Sequence, residues 1–328
     1  MTKDRVDFTG FVLILTLTIL WGVNYFAIKV TNTGLSPVFT AFLRSVIASA
    51  FGIGYCLIAR QPVLHRDIRL FHGLVIGILF GMEFVCIYLG IFYTNAARAA
   101  VLVYLAPFVV AIGAHFFLRE RLNAVRAISL VLAFLGVCLV FADKPLIHAK
   151  SMLVGDLLEV TAAVLWAATT IYIKKYLAET VHPINTFIYQ LLFSIPIMVV
   201  AAYVLEPVWV TGGIGGGVMV SLIYQSVIVA FASYLTWFKL IHAYPVASLS
   251  VFTFLTPVVG VASGVIFLGE DLTKGLVIGL VCVCVGICGT NYRGARKGPS
   301  SSSTVEPECL SYGKDEAENR REPWTGEW

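Results

Sequence analysis

Two ionisable side chains, Arg44 and Glu83, stand well inside long apolar stretches. Charge at membrane depth is costly and normally faces a bundle interior or a cavity, paired. Glu83, in the middle of its stretch, can take up a proton, bind a cationic group or stay buried and protonated. Arg44, one or two turns inside its own, reads first as a structural anchor that snorkels or caps backbone carbonyls. Trp21 is followed one turn later by Asn24 and Tyr25, and Trp166 by Thr169 and Thr170. A polar strip therefore follows each indole on the same helix face, and a mid-span indole N–H needs a partner. Tyr88, Tyr104, Gln225, Tyr234 and Trp237 add aromatic walls with a few directed polar groups, an arrangement that suits small amphipathic solutes. This is the chemistry of binding and proton uptake, not of bond-making.

Other chemistries lack their residues. His115 has no evident catalytic partner, and the remaining histidines lie at or near loop ends. Cys282 and Cys284, two apart on a helix, point to nearly opposite sides and make a poor metal site. The cysteines within the apolar runs read as buried small hydrophobes. Gly212, Gly213, Gly215, Gly216 and Gly217 are not followed by Gly-Lys-Ser or Gly-Lys-Thr, so they read as a flexible loop and not a phosphate cradle. No cofactor or metal is expected. A net charge of +4 over 328 residues offers no nucleic-acid patch.

The elements that must position these side chains are membrane helices. Hydrophobic residues make up 59% and charged residues 13% of the chain, with a mean hydropathy of +0.87; soluble domains carry about 25% charged residues. Ten apolar stretches are long enough to span hydrocarbon. They run Phe8–Val30, Pro37–Ala59, Leu70–Tyr93, Asn95–Leu118, Val125–Phe141, Met152–Tyr176, Pro183–Leu205, Val218–Leu240, Val246–Phe267 and Leu276–Tyr292. The first is too long for a cleaved signal and reads as a retained span. With the N-terminus cytoplasmic, fourteen Lys and Arg collect on that side against five opposite, which puts both termini in the cytoplasm. Asp156 and Glu159, at the start of span six, read as interfacial acids favoured by the helix dipole. The tail, residues 296–328, is Ser-, Pro- and Glu-rich and is expected to be disordered.

The chain repeats itself. Val101, Leu105, Pro107, Val109, Phe117, Leu118, Glu120 and Leu122 recur 150 residues later as Val251, Leu255, Pro257, Val259, Phe267, Leu268, Glu270 and Leu272. Trp21, Ile28 and Lys29 align with Trp166, Ile173 and Lys174; Pro37 with Pro183; Tyr88 with Tyr234; Gly136 with Gly286. The two halves, residues 1–145 and 146–295, thus hold five spans each. An odd number forces the second copy to sit inverted, the organisation of secondary transporters with a midplane site where the repeats meet. Pro107 and Pro257 each lack an N–H, freeing the carbonyls of Val103 and Thr253. Their recurrence suggests a shared bending point, with polar backbone facing a cavity.

The stretch from Ile19 to Lys29, Ile-Leu-Trp-Gly-Val-Asn-Tyr-Phe-Ala-Ile-Lys, resembles the first helix of the EamA family in the drug/metabolite transporter superfamily. Pro37 with Arg44 resembles its second helix. The two Pro-to-Glu segments resemble its fourth and ninth, and Gly269-Glu270 keeps the usual pair, where Arg119 precedes Glu120 in the first copy. The resemblance covers residues 8 to about 292. It implies an all-α integral membrane protein, ten helices in two inverted five-helix repeats, in a bacterial cytoplasmic membrane. The expected partners are the lipid bilayer and a small-molecule solute such as an amino acid, exported or exchanged, with protons as a candidate coupling ion. A nucleotide-sugar antiporter shares the ten-helix plan, but the basic residues are few and dispersed. A polytopic enzyme or receptor would need an intramembrane constellation or an effector domain that the sequence does not supply.

Overall fold

In a computed structural model of the chain, the described residues are 6–64, 68–93, 102–120, 122–141, 152–268 and 274–292. They form helices α1 (Phe8–Thr31), α2 (Pro37–Ile58), α3 (Ile68–Tyr93), α4 (Ala106–Phe117) and α5 (Ala124–Phe141) in the first half. The second half holds α6 (Met152–Tyr172, continued by a π-helical turn to Leu177), α7 (Pro183–Leu205), α8 (Gly216–Ala243), α9 (Val246–Phe252), α10 (Leu255–Leu268) and α11 (Lys274–Tyr292). Six helices are long and apolar enough to cross a membrane, and four apolar helical stretches are shorter, which together make ten spans. Helices α9 and α10 are the two pieces of the ninth. The expected tail and Glu270 lie outside the described residues.

The expected boundaries that fall on described residues hold to within a few residues, because caps and prolines set several of them; the expected start of the fourth span, Asn95, lies outside the described residues. Pro37 and Pro183 open α2 and α7 at the first turn, where a missing N–H costs nothing. Asp7 caps α1 by accepting from the Gly10 N–H at 2.9 Å. The fourth and ninth spans both break just before their prolines, at Tyr104-Leu105 and at Thr253-Phe254. One expectation fails here in detail. The Thr253 carbonyl is not left free, since it accepts from the Thr256 N–H at 3.0 Å in a tight turn. The proline separates two helical pieces and does not bend one continuous helix.

Exchange of the two halves preserves the packing. Helix α2 packs on α7, α4 on α9 and α5 on α11, each against its own repeat mate. Contact of α3 with α6 is matched by α8 with α1, α3 with α7 by α8 with α2, and α4 with α6 by α10 with α1. This reciprocity is what a two-fold relation between inverted copies produces. Exposed Phe116, Phe117, Val200, Tyr203, Val281 and Val285 form the apolar exterior that hydrocarbon requires. Cys284 and Cys288 lie on this outer face of α11, so they are not the buried hydrophobes expected; Cys56 is.

The α5–α11 contact depends on glycine. A Cβ at Gly286 would lie 2.6 Å from the Ser129 carbonyl oxygen, and one at Gly136 would lie 2.7 Å from that of Gly279. Small residues let membrane helices approach this closely. Gly286→Val is therefore expected to force the pair apart and cost about 1–3 kcal/mol, read as a lower melting temperature in detergent. A variant that melts like the parent would show that the close approach contributes nothing.

Candidate functional site

The aromatic side chains of the two repeats meet between the halves. The Trp21 indole N–H donates to Ser233 Oγ at 2.8 Å, which supplies the partner that a buried indole needs. Its ring meets Trp237 edge to face with centroids 5.4 Å apart, and Tyr234 at 6.3 Å. Trp237 also lines a small cavity of about 10 Å³, room for about one water, with Ala106, Pro107, Val110, Trp166, Thr170, Ser250 and Thr253. Tyr104 packs edge to face on Trp166 at 6.0 Å. Trp21, Tyr234 and Trp237 therefore form one cluster of rings and Tyr104 with Trp166 another, and the cavity lined by both Trp237 and Trp166 lies between them. Both proline breaks contribute to it, through Pro107 and through Thr253, which precedes Pro257.

A polar group adjoins these rings. Arg44 on α2 is 3% exposed, with its Cζ 4.7 Å from the Phe84 ring centre and 5.7 Å from that of Tyr234. Its Nη2 donates to the Tyr234 hydroxyl at 3.4 Å, and its Nε is buried without a partner. Arg44 neither snorkels nor caps carbonyls, contrary to expectation, because aromatic faces enclose it on two sides. Glu83, 6% exposed, lies within electrostatic reach of Arg44, as does Tyr88.

Other candidates fall differently. Asn24 is buried with its Oδ1 unpartnered, whereas Thr169 Oγ1 donates to the Leu165 carbonyl of its own helix. Of the two threonines, Thr170 and not Thr169 lines the cavity. Tyr25 lies in α1, its side chain outside the described set. Gln225 stands apart from the rings and ties α8 to α1, its Nε2 donating to Thr31 Oγ1 at 2.6 Å. It sits in a π-helical stretch, Tyr224–Ser233, that leads directly into Tyr234.

Several polar side chains take partners that sequence reasoning did not assign, Glu120 among them, which the sequence singled out only as a structural polar group. Glu159 is 1% exposed with Oε1 unpartnered, packed against Gly90 of α3, and so is not the interfacial acid expected. Its place in the first turns of α6 suggested the surface, but α3 covers that face. Lys174 donates to the Ile241, His242 and Tyr244 carbonyls at 2.7, 3.3 and 3.0 Å, closing the C-terminus of α8. Glu120 crosses between halves, its two oxygens accepting from the Val246 and Ala247 N–H groups at 3.0 and 3.1 Å to cap α9. Burial pushes its carboxyl above the ordinary value, against the pull of those two N–H groups and of Lys174 and Arg126. At the other end of the bundle Glu206 caps α2 from the Val38 and Phe39 N–H groups at 2.7 and 2.9 Å. There the glycine loop docks on the α1–α2 turn, with Thr211 and Gly212 donating to the Gly34 carbonyl, so it is not simply a flexible loop.

Comparison with known proteins accords with this geometry. A probable amino-acid metabolite efflux pump of Escherichia coli is 28% identical over 284 residues, covering 84% of this chain and 92% of that protein. An uncharacterized transporter of Archaeoglobus fulgidus is 30% identical over 278 residues, covering 84% and 96%. The uncharacterized transporter YoaV of Bacillus subtilis is 22% identical, covering 87% and 97%. A protein of known crystal structure superposes with a TM-score of 0.73 at 18% identity, covering 86% of this chain and 97% of that one, a likeness of fold. The profile of the EamA-like transporter family matches residues 8–142 and again residues 153–292, once per half. This chain, an all-α integral membrane protein of ten helices in two inverted five-helix repeats, belongs to the EamA-like transporter family.

Proposed function

We propose that the chain is a secondary carrier that exports or exchanges a small metabolite, an amino acid or a related solute, by alternating access. The observation that carries this reading is the two ring clusters, each shared between the inverted halves, on either side of one cavity. Trp21 and Tyr104 come from the first half, and Trp166, Tyr234 and Trp237 from the second. A solute held on such a seam is exposed to one side or the other as the halves rock. The E. coli relative's name, an amino-acid metabolite efflux pump, supports the same solute class. The repeats are taken as residues 1–145 and 146–295, in a bacterial cytoplasmic membrane with both termini inside. Labelling of a cysteine in the 212–217 loop from the cytoplasm would reverse that orientation.

An untargeted comparison of metabolites retained by cells with and without the protein tests the carrier reading. At least one small solute should be depleted on expression and retained by a Trp166→Ala strain. Identical metabolite pools in all strains would refute export.

Glu83 is assigned the coupling proton. Glu83→Gln should then exchange solute between equal pools while ignoring an imposed pH gradient. Transport by Glu83→Gln that still follows the gradient would remove the proton from this site.

A further inference from the structure

We infer that Arg44 and Glu83 form a clamp for a zwitterionic amino acid, with the solute's carboxylate on Arg44 and its ammonium on Glu83. This rests on the carrier reading above and names its substrate class. A guanidinium has five N–H donors in a planar fork, and one buried in a membrane bundle should find partners for them. Arg44 has one long bond, to Tyr234, and an unpartnered Nε. Among the described residues no carboxylate oxygen lies within 4.0 Å of it. The rings of Phe84 and Tyr234 fix the plane of the fork, as an oxyanion site requires.

Glu83 supplies the second pole. It is buried on α3, and no hydrogen-bond donor among the described residues reaches it. Arg44 and Glu83 thus feel one another's charge without touching. A bound zwitterion would complete both, where a dianionic phosphate would meet a single cation and a repelling carboxylate. The second half has Gln190 and Val229 at the aligned positions, so the clamp is single and has a fixed direction.

The arrangement also states how a proton is coupled. A proton and an ammonium group cannot share the Glu83 carboxylate, so the two are carried in opposite directions and an inward proton gradient drives export. Among the described residues, Arg44 from α2, Cys86 on α3 and Tyr234 from α8 interact electrostatically with Glu83, and Glu159 from α6 reaches Cys86. On α7, Tyr189 packs at Gly73, almost three turns away along α3.

Purified full-length protein in liposomes, loaded with a mixture of the twenty L-amino acids, should take up at least one labelled amino acid in exchange. For that amino acid, the carboxamide (no carboxylate) and the N-acetyl derivative (no ammonium) should compete at least about tenfold less well, the scale of a lost charged contact. Arg44→Gln should lose its discrimination against the amide alone, and Glu83→Gln against the N-acetyl compound alone. Either derivative competing as well as its parent on the unaltered protein would overturn the clamp without any variant having to fold. Selectivities unchanged in both variants would overturn it too. If no amino acid exchanges while the cell comparison reveals another exported solute, the clamp falls and the carrier reading stands.

Discussion

Trp166→Ala is expected to remove most transport while the protein still reaches the membrane at its normal level. Trp166 is only partly buried, packs on Tyr104 at 6.0 Å and lines the cavity between the proline breaks. Truncation opens space beside a site and leaves no hydrogen-bond partner stranded. An aromatic pair contributes about 0.5–1.5 kcal/mol beyond its buried area, so loss of ring and area together should weaken solute binding about tenfold or more. Trp21→Ala should match it in transport but cost more stability, since it also removes the indole's hydrogen bond to Ser233 and two ring contacts. Normal transport by both alanine variants would put the solute elsewhere. Failure of both to accumulate, with Phe restoring level and transport together, would make these residues core packing.

Glu120→Ala should produce the largest loss of stability from any single polar change. Its carboxylate is the cap of α9 and joins the end of the first half to the second through two backbone N–H groups. Hydrogen bonds to a charged group contribute about 1.5–3 kcal/mol each, and the stranded donors at a helix start add to the cost. Glu120→Gln keeps one acceptor and should lose far less. The sign of the pH dependence follows from burial, which holds this carboxyl above its ordinary value. The native state then binds more protons than the unfolded one between the two values. The Glu120 contribution is fully present below the ordinary value and shrinks as pH rises through the raised one, and Glu120→Gln should abolish that trend. A Glu120→Ala protein with the parent's melting temperature would show that the cap is idle.

Much of this was legible because a membrane imposes few solutions. Apolar length gave the spans, and Pro37, Pro183 and Asp7 explain why their starts could be read closely. The duplication gave inversion, since five spans cannot return to their own side. Trp21, Trp166 and Tyr234 could be singled out as candidates because aromatic groups deep in a span need partners, and the structure gives each a ring contact. What stayed hidden depends on which face a neighbour covers. Glu159 looked interfacial by its position in α6, and only the packing of Gly90 against it shows otherwise. Glu120 looked like a terminal acid, and its role needs the start of α9, which lies 126 residues away. Gln225 resembled a site residue by type and depth, yet α1 claims it.

Alternating access requires one seam between the inverted halves to open to each side in turn. Thr170→Cys in a cysteine-free background, reconstituted in one orientation, tests it with membrane-impermeant maleimide added from either face. Thr170 lines the inter-repeat cavity, so reagent from each side should label the same residue, and a transported solute should slow both reactions. Labelling from one face only, with or without solute, would describe a fixed crevice and contradict alternating access.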